Sequence, residues 1–476
     1  MMSHAKSWEK ELTPGLSYYM EYDESKPLII HALKIDPANK SLELKPELTA
    51  DTIFDEHTTL RAGKKIRKMS DVCVGKNTVS EAVSMHGAIG GITGDFFKMT
   101  TGDPIGAMLK DRKLYSGPAA KPRGVFGWGR KDFFMGKLKF EGKISWENQE
   151  PIKIDTYNEF CKKNGLTLNT SIVGFAQAAT PNAYALIKVK NDNWRANYKT
   201  EGEVITIHED TNSLPIKKGY VVLAGRGSAK EIITQLKRGQ KINLEAKLEG
   251  ADWKKITNAI GGGPFLLKNG KEEIDFEGQQ FTIRGFLEKR YARCAIGRTK
   301  DNKIVLATVD GPSSLSKMKG ANDTIYSAGA TLKELADIMR KLGCTDAMNL
   351  DGGGSATFSL FGKCFNRPSS KIERRVSNLV AIYAPKMIKN AKSAKLKLKG
   401  PSKIKQNENP IYKVFDADGK EIENSKLIWQ ASGSGWIDQE GKFHGITPGK
   451  TTIRVYYQGK GYQFNTQVLP EEGYKS

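Results

Sequence analysis

Short apolar-alternating stretches separated by glycine turns recur along most of this 476-residue chain, and that pattern commits it to a fold built from many short strands. Over residues 16–46 the segments SYYMEY, LIIHALKI and SLELKPEL alternate as half-buried antiparallel strands do. Between 106 and 144 glycines cut the chain into hairpin-length pieces. Residues 78–97 predict a short helix entered at Thr78, then a small-residue strand ending at Asp95. Residues 228–248 predict one helix, with Ser228 as its cap, and one strand. The stretch 258–271 (NAIGGGPFLLKNGK) reads as a glycine turn, a buried apolar run and an Asn-Gly hairpin. Residues 290–311 read as two strands joined near Lys300 to Lys303, with Asp310 closing the second.

The clearest helix is TLKELADIMRKLGC (331–344): Leu332, Leu335, Ala336, Met339 and Leu342 share one face, and Gly343 supplies the stop. Thr331 and Glu334 fit a capping box, which assigns Glu334 to the helix end rather than to catalysis. Between Lys386 and Lys405 there are eight lysines and no acid, as in a linker. Beyond it, alternating strands with the turns DADGK, DQEGK and TPGK predict a small β-sandwich with Trp429 in its core.

Composition excludes several classes. No run of about 18 apolar residues is present, so a spanning helix is not expected. The start, MMSHAKSWEKEL, lacks the apolar stretch of a secretory signal, which implies action where the chain is made, export by another route, or a signal already removed. Cys73, Cys161, Cys294, Cys344 and Cys364 are odd in number and widely spaced, so they are read as mostly buried free thiols rather than a disulfide or zinc framework. The net charge of +22 (75 Lys and Arg against 53 Asp and Glu) favours polyanions such as an anionic cell-wall polymer, or reflects solubility alone. No signature of specific nucleic-acid recognition accompanies it.

Chemistry concentrates in CTDAMNLDGGGSATF (344–358), where Asp351, Gly352, Gly353, Gly354 and Ser355 follow a strand-like run. Three glycines free the backbone to take positive φ and approach a ligand, so this turn can present N–H groups to an anion with a carboxylate beside them. A P-loop is excluded because its GK[ST] ending is missing. Asp95 and Asp310 also end strands. Arg290 and Arg293, and the pair Arg374 and Arg375, are candidates for an anion clamp, since guanidinium groups bind phosphate through two donors.

Together NLDGGGSATF, the helix before it, RYARCAIGRTKDNKIVLATVDG, NAIGGGPFLLKNGK, GDFF (94–97) and FNRPSSKIERRVSNLVAIY (365–383) resemble the phosphodiester glycosidase family over residues 16–385. The resemblance implies hydrolysis of a sugar-1-phosphate diester to free sugar and a phosphomonoester. It also implies an α+β catalytic domain of mixed and antiparallel sheets with a few helices. This domain is expected over 1–385, with the strands of 16–75 part of it, then a Lys-rich linker (386–394). Residues 395–470 resemble a bacterial immunoglobulin-like domain, a spacer or adhesion unit of cell-surface or virion proteins, which points to a bacterial or phage source and an extracellular, cell-surface or virion location.

The expected catalytic set is Asp351, Asp310 and Asp95. The expected phosphate and sugar set is Arg293, Arg290, Arg375, Gly352, Gly353, Gly354, Ser355, Asn349, Asn366, Gly262 and Gly263. Thr93 stands where the family has asparagine, and Ala292, Arg293, Cys294 and Ala295 where it has Pro-Arg-Thr-Ala. Asp310 or Asp351 would serve as nucleophile or as base for a water; alternatively Ca²⁺ or Mg²⁺ on Asp95, Asp310 or Asp351 would orient the phosphate. The competing classes are a non-catalytic glycan-binding or adhesion protein and a phage virion component.

Overall fold

The computed structural model describes residues 5–54, 75–118, 123–279, 281, 284–312, 326–370, 372–390, 395–406 and 408–470; Cys73 lies outside them. The chain is mostly β-sheet with a few short helices. One eight-stranded sheet runs in the order Ala5–Thr13, Leu16–Asp23, Leu28–Ile35, Ile304–Val309, Arg293–Thr299, Cys344–Asn349, Phe265–Lys268, Lys271–Glu272. A five-stranded sheet carries Gly90–Thr93 between Phe358–Leu360 and Asn378–Tyr383. A second five-stranded sheet carries Asn258–Gly262 between Met108–Lys110 and Gly124–Trp128. Inner faces of all three meet in one apolar core, where Leu33, Ile296 and Leu306, Ile92 and Phe358, and Phe126 and Ile260 are buried. Each such side chain withdrawn from water contributes about 1.5–3 kcal/mol.

The opposite face of the eight-stranded sheet is covered by the helix Leu332–Lys341, whose Leu332, Leu335, Ala336, Ile338 and Met339 are buried against Ala295, Val305 and Ala347. Its capping box forms as the sequence predicts: Thr331 Oγ1 accepts from the Glu334 N–H at 3.1 Å, and the Glu334 carboxylate accepts from the Thr331 N–H at 2.9 Å. Gly343 ends it at φ +91°. The Asn269-Gly270 hairpin also forms, both residues at positive φ.

Two local expectations are corrected. Two of the three glycines of NAIGGG are strand: Asn258–Gly262 pairs with its neighbours on both sides, because glycines are admitted where sheets approach closely, and only Gly263, at φ +121°, makes a turn. Ser228 does not cap the helix Lys230–Thr234; it lies in a 3₁₀ turn, and Ala229 occupies the cap with no side-chain bond. The start of the Lys-rich 386–394 stretch falls within the helix Pro385–Asn390.

After Phe133–Lys137 the chain leaves to build another eight-stranded sheet, from Lys139–Ser145 to Lys241–Glu249, and then returns with Asn258–Gly262 to the centre of the sheet it left. That sheet buries alternate residues of Lys241–Glu249 and exposes a Lys and Glu face, including Lys241 with Glu203 and Lys199 with Glu245.

At the other end, Leu427–Gly433, Gly449–Tyr457, Lys460–Leu469 and Lys403–Lys405 form a four-stranded sheet around Trp429, which is 1% exposed. These strands dock on the rest: Trp436, Ile428, Ile446 and Tyr456 join the main core. The first strand, which the alternation signal missed, contributes Lys10, whose buried ammonium donates to the carbonyls of Asn424, Leu427 and Gln439 at 2.6–2.8 Å.

Candidate active site

Strand ends from three sheets converge. Asp95 lies two residues beyond Gly90–Thr93, Asp351 two beyond Cys344–Asn349, and Arg123 immediately before Gly124–Trp128. One backbone bond joins the two acidic loops: the Asp351 N–H donates to the Gly94 carbonyl at 3.0 Å.

Asp95 is 1% exposed. Its Oδ1 accepts from the Phe96 N–H and its Oδ2 from the Gly106 N–H, each at 2.7 Å, while its own N–H donates to Asn378 Oδ1 at 2.6 Å. Gly106 and Gly261 are both needed here, since a Cβ on either would overlap Asp95 Oδ2. Burial pushes the Asp95 carboxyl up to about 6, against Arg123 and the two N–H donors.

Asp351 is only partly exposed, and its Oδ1 accepts from the Gly352 N–H at 2.9 Å. Its carboxyl is also pushed up to about 6, by burial first, with Ser355 and the Gly352 N–H pulling it down, Asp95 raising it and Arg374 lowering it. Asp95 contributes to the raised Asp351 carboxyl, so the two acids titrate as a coupled pair.

Arg123 stands beside both acids. Burial lowers its pKa and the charges of Asp95 and Asp351 raise it. Its guanidinium lies in the angle between the neighbouring rings of Phe96 and Phe281, 4.5 Å from each centroid, which holds the planar group without using its N–H donors. Arg374, an exposed side chain, packs on Gly354 and donates to Ser355 Oγ at 3.3 Å.

The remaining expected residues are elsewhere or otherwise engaged. Asp310 occupies a separate buried cluster: Tyr326 OH donates to its Oδ2, and the Arg367 N–H donates to Oδ1 and Oδ2 at 3.1 and 3.2 Å. Arg290 pairs with Glu334 and thus supports the helix cap. Arg293 is 1% exposed, with Nε on the Ala330 carbonyl (2.9 Å) and Nη2 on the carbonyls of Phe286 (2.6 Å) and Lys289 (3.0 Å). It stacks on Phe286, which packs against Phe281, so it sits one aromatic layer behind Arg123; burial pulls its pKa down to about 10. Arg375 is exposed.

Most N–H groups of the triglycine turn are already taken within the chain. Gly352 N–H is held by Asp351, Gly353 N–H by the Ala292 carbonyl (2.7 Å) and Ser355 N–H by the Gly352 carbonyl (3.1 Å). What glycine provides is approach: a Cβ on Gly352 would press on the Ala292 carbonyl and one on Gly354 on the Arg374 guanidinium, whereas Gly353, at φ +58°, faces open space.

Asn349 Nδ2 holds the Gly263 carbonyl at 2.9 Å, and a Cβ on Gly262 would press on the Asn349 carbonyl, so these three residues seat one sheet edge on another. Asn366 accepts from the Phe358 N–H at 2.6 Å and braces the strand after the turn. Thr93, in place of the family asparagine, is fully buried and bonds the Ser355 carbonyl and the Thr357 N–H. A Ca²⁺ or Mg²⁺ site on the three aspartates does not fit: Asp310 belongs to another cluster, both Asp95 oxygens already accept N–H bonds, and among the described residues no group of three or more His, Cys, Asp or Glu is placed to hold a metal.

Sequence reasoning missed Arg123 and Asn378; of the pair Arg374 and Arg375 that it named, Arg374 is the one that contacts the turn. Arg123 belongs to no motif; its one local signal is the glycine after it, where a Cβ would press on Gln279, Phe265 and Met348.

The sequence model of the phosphodiester glycosidase family matches residues 193–383. A SPbeta prophage-derived uncharacterized protein of Bacillus subtilis (strain 168) is 28% identical over 42% of this chain and 28% of its own length. The N-acetylglucosamine-1-phosphodiester alpha-N-acetylglucosaminidase of Bos taurus is 30% identical over 27% of this chain and 25% of its own. The chain thus spans about a quarter of the length of the curated relatives it matches. In fold it is similar to a hypothetical protein from Synechocystis, with a TM-score of 0.61 at 19% identity, covering 79% of this chain and 63% of that one. Asp351, Asp310, Arg293 and Arg374 lie inside the matched segment and Asp95 and Arg123 outside it, and over residues 193–383 the chain carries a phosphodiester glycosidase domain.

Proposed function

We propose that this protein hydrolyses a glycosyl-1-phosphodiester, releasing free sugar and a phosphomonoester, with Asp95 and Asp351 as its acid–base pair and Arg123 as its phosphate contact. The observation that carries the reading is the pair itself: two carboxyls distant in sequence, both raised to about 6, adjoining one guanidinium whose donors are free of carboxylates at ion-pair distance among the described residues. The ionised member of the pair acts on the anomeric carbon, as nucleophile or by taking a proton from water. The C1–O bond breaks, the phosphate leaves with the electron pair, and Arg123 meets the charge that develops on it. A phosphate is already a stabilised anion, so the protonated member of the pair need share its proton with the departing oxygen only in part. Asp310, Arg290 and Arg293 hold the scaffold in this reading.

The substrate is proposed to be a bacterial surface glycan with sugar-1-phosphate links, or a nucleotide-sugar-like compound; a positively charged surface suits either. The C-terminal strands are proposed to be an immunoglobulin-like module positioning the site at a cell surface or on a virion. The test is release of reducing sugar and phosphomonoester from UDP-sugars and sugar-1-phosphate diesters, with loss of both in Asp351→Ala. Saturable glycan binding without turnover would favour the second reading, a non-catalytic glycan-binding or virion protein, to which the prophage origin of one relative lends support.

A further inference from the structure

A continuous run of ring contacts links two guanidinium groups of the site region. Arg123 lies 4.5 Å from the Phe281 centroid, Phe281 stacks on Phe286 with centroids 5.5 Å apart and 6° between planes, and Arg293 lies 4.8 Å from the Phe286 centroid. Phe96 closes the group, its centroid 5.8 Å from that of Phe281 and 6.0 Å from that of Phe286, while its N–H holds Asp95 Oδ1 at 2.7 Å. Among the described residues no hydrogen bond fixes the Arg123 guanidinium, so its place is set by the rings against it.

Arg293 is the opposite kind of arginine, buried and bonded to the chain itself. Its Nη2 donates to the carbonyls of Phe286 at 2.6 Å and Lys289 at 3.0 Å, which belong to the last turn of the short helix Arg284–Glu288 and the residue after it. Helix ends leave such carbonyls without partners inside the helix, and a guanidinium satisfies two at once. One side chain therefore ties down the backbone of Phe286 and lies against its ring. The carbonyl just before it, that of Ala292, holds the Gly353 N–H at 2.7 Å, so the ring group and the turn after Asp351 are built on the same strand end. A charge-stabilising group has to be in place before the ligand arrives, and a displacement of about 1 Å can cost about 100-fold in rate.

We propose that Arg293 is a positioning residue: by fixing Phe286, and through it Phe281, it holds the Arg123 guanidinium where a phosphate is received. This deepens the hydrolase reading and rests on its assignment of Arg123 as the phosphate contact, although binding of phosphate does not require turnover. Arg293 itself touches no ligand. Its influence passes through two rings to one guanidinium, so changes to Arg293 or to the rings matter only while a planar group stands at position 123. Lysine cannot replace it, having neither the plane that stacks nor the fork that reaches several carbonyls.

The test is a double-mutant cycle on the full chain, read by calorimetric titration of inorganic phosphate and by kcat/KM on a sugar-1-phosphate diester. Arg293→Lys and Phe286→Leu should each weaken phosphate binding and lower kcat/KM by about tenfold. In Arg123→Lys protein, which keeps a charge for the phosphate but no plane for the rings to hold, the same two substitutions should cost less than about twofold. A melting curve accompanies each variant, and Phe286→Leu, which keeps apolar bulk and removes only the ring, carries the test if Arg293→Lys does not fold. Losses that persist in full beside Arg123→Lys mark general structural damage and overturn the proposal, as do unchanged binding and turnover in the folded single variants. If phosphate binding shows the coupling but no diester is hydrolysed, the positioning role stands and the hydrolase reading falls. If diesters are hydrolysed and the effects simply add, the reverse holds; a parent protein that neither binds phosphate nor turns over a diester removes both.

Discussion

Asp310 and Asp351 both stand just beyond strands of the same sheet, and burial pushes both carboxyls up to about 6, yet their surroundings differ. Around Asp310 the protein supplies the partners: Tyr326 and the Arg367 backbone occupy both oxygens, and the Arg367 guanidinium continues to the Gly433 and Gly435 carbonyls of the C-terminal strands. Around Asp351 it supplies a second acid, a guanidinium held by aromatic rings and a glycine facing open space. A raised pKa records burial, which the two acids share. Unspent bonding capacity is what distinguishes a place where a ligand can act from one where the chain is stapled to itself.

The sharpest way to break this contrast is to neutralise each acid in turn. Asp351→Asn should lower kcat for diester hydrolysis by about 1,000-fold with the melting temperature little changed, and Asp95→Asn should lower kcat as far while also costing about 2 kcal/mol, since an amide there faces the Phe96 and Gly106 N–H groups. Asp310→Asn should do the reverse: it places an amide against two donors and should cost about 2 kcal/mol of stability in a denaturant titration, while folded protein keeps its turnover. An inactive but fully stable Asp310→Asn protein would reverse the assignment. Arg123→Met should lower kcat/KM by about 100-fold, the scale of losing one donor to developing charge.

The pH dependence sharpens the comparison further. Activity that needs one proton on the Asp95–Asp351 pair should fall as pH rises through about 6. Stability follows the same sign: a carboxyl raised on folding contributes stability that is complete below its ordinary value near 3.8 and is lost as pH rises through about 6. The slope of melting temperature between pH 4 and 7 should therefore become shallower in either Asp310→Asn or Asp351→Asn, whereas activity should respond to the second alone. The smallest effect belongs to Arg290→Gln, which removes an exposed pair with Glu334: at most about 1 kcal/mol in stability and none in kcat/KM.

Much of the framework was legible because its signals are local. The helix Leu332–Lys341, its capping box, the Asn269-Gly270 hairpin and the strands meeting near Lys300 to Lys303 depend on neighbours within a few residues. Ser228 failed as a cap because a 3₁₀ turn, favoured by packing around Ala229, intervened. The strand Ala5–Thr13 escaped because its exposed charges mask the period-two pattern. In the site, Asp95 and Asp351 could be read from their positions beside glycine at strand ends. Arg123 could not, and Arg290 and Arg293 looked equally available until one proved ion-paired and the other bonded to three carbonyls.

By itself the sequence determined which segments become strands, where turns fall, that the chain carries an excess of positive charge, and which acids end strands, since each depends on residue type and short-range spacing. Tertiary structure alone decided which of three similar aspartates meet. Strand order placed Asp95, Asp351 and Arg123 at converging strand ends of three sheets and carried Asp310 to the C-terminal strands, because contacts between residues hundreds of positions apart are set by how sheets pack and not by any pattern within them.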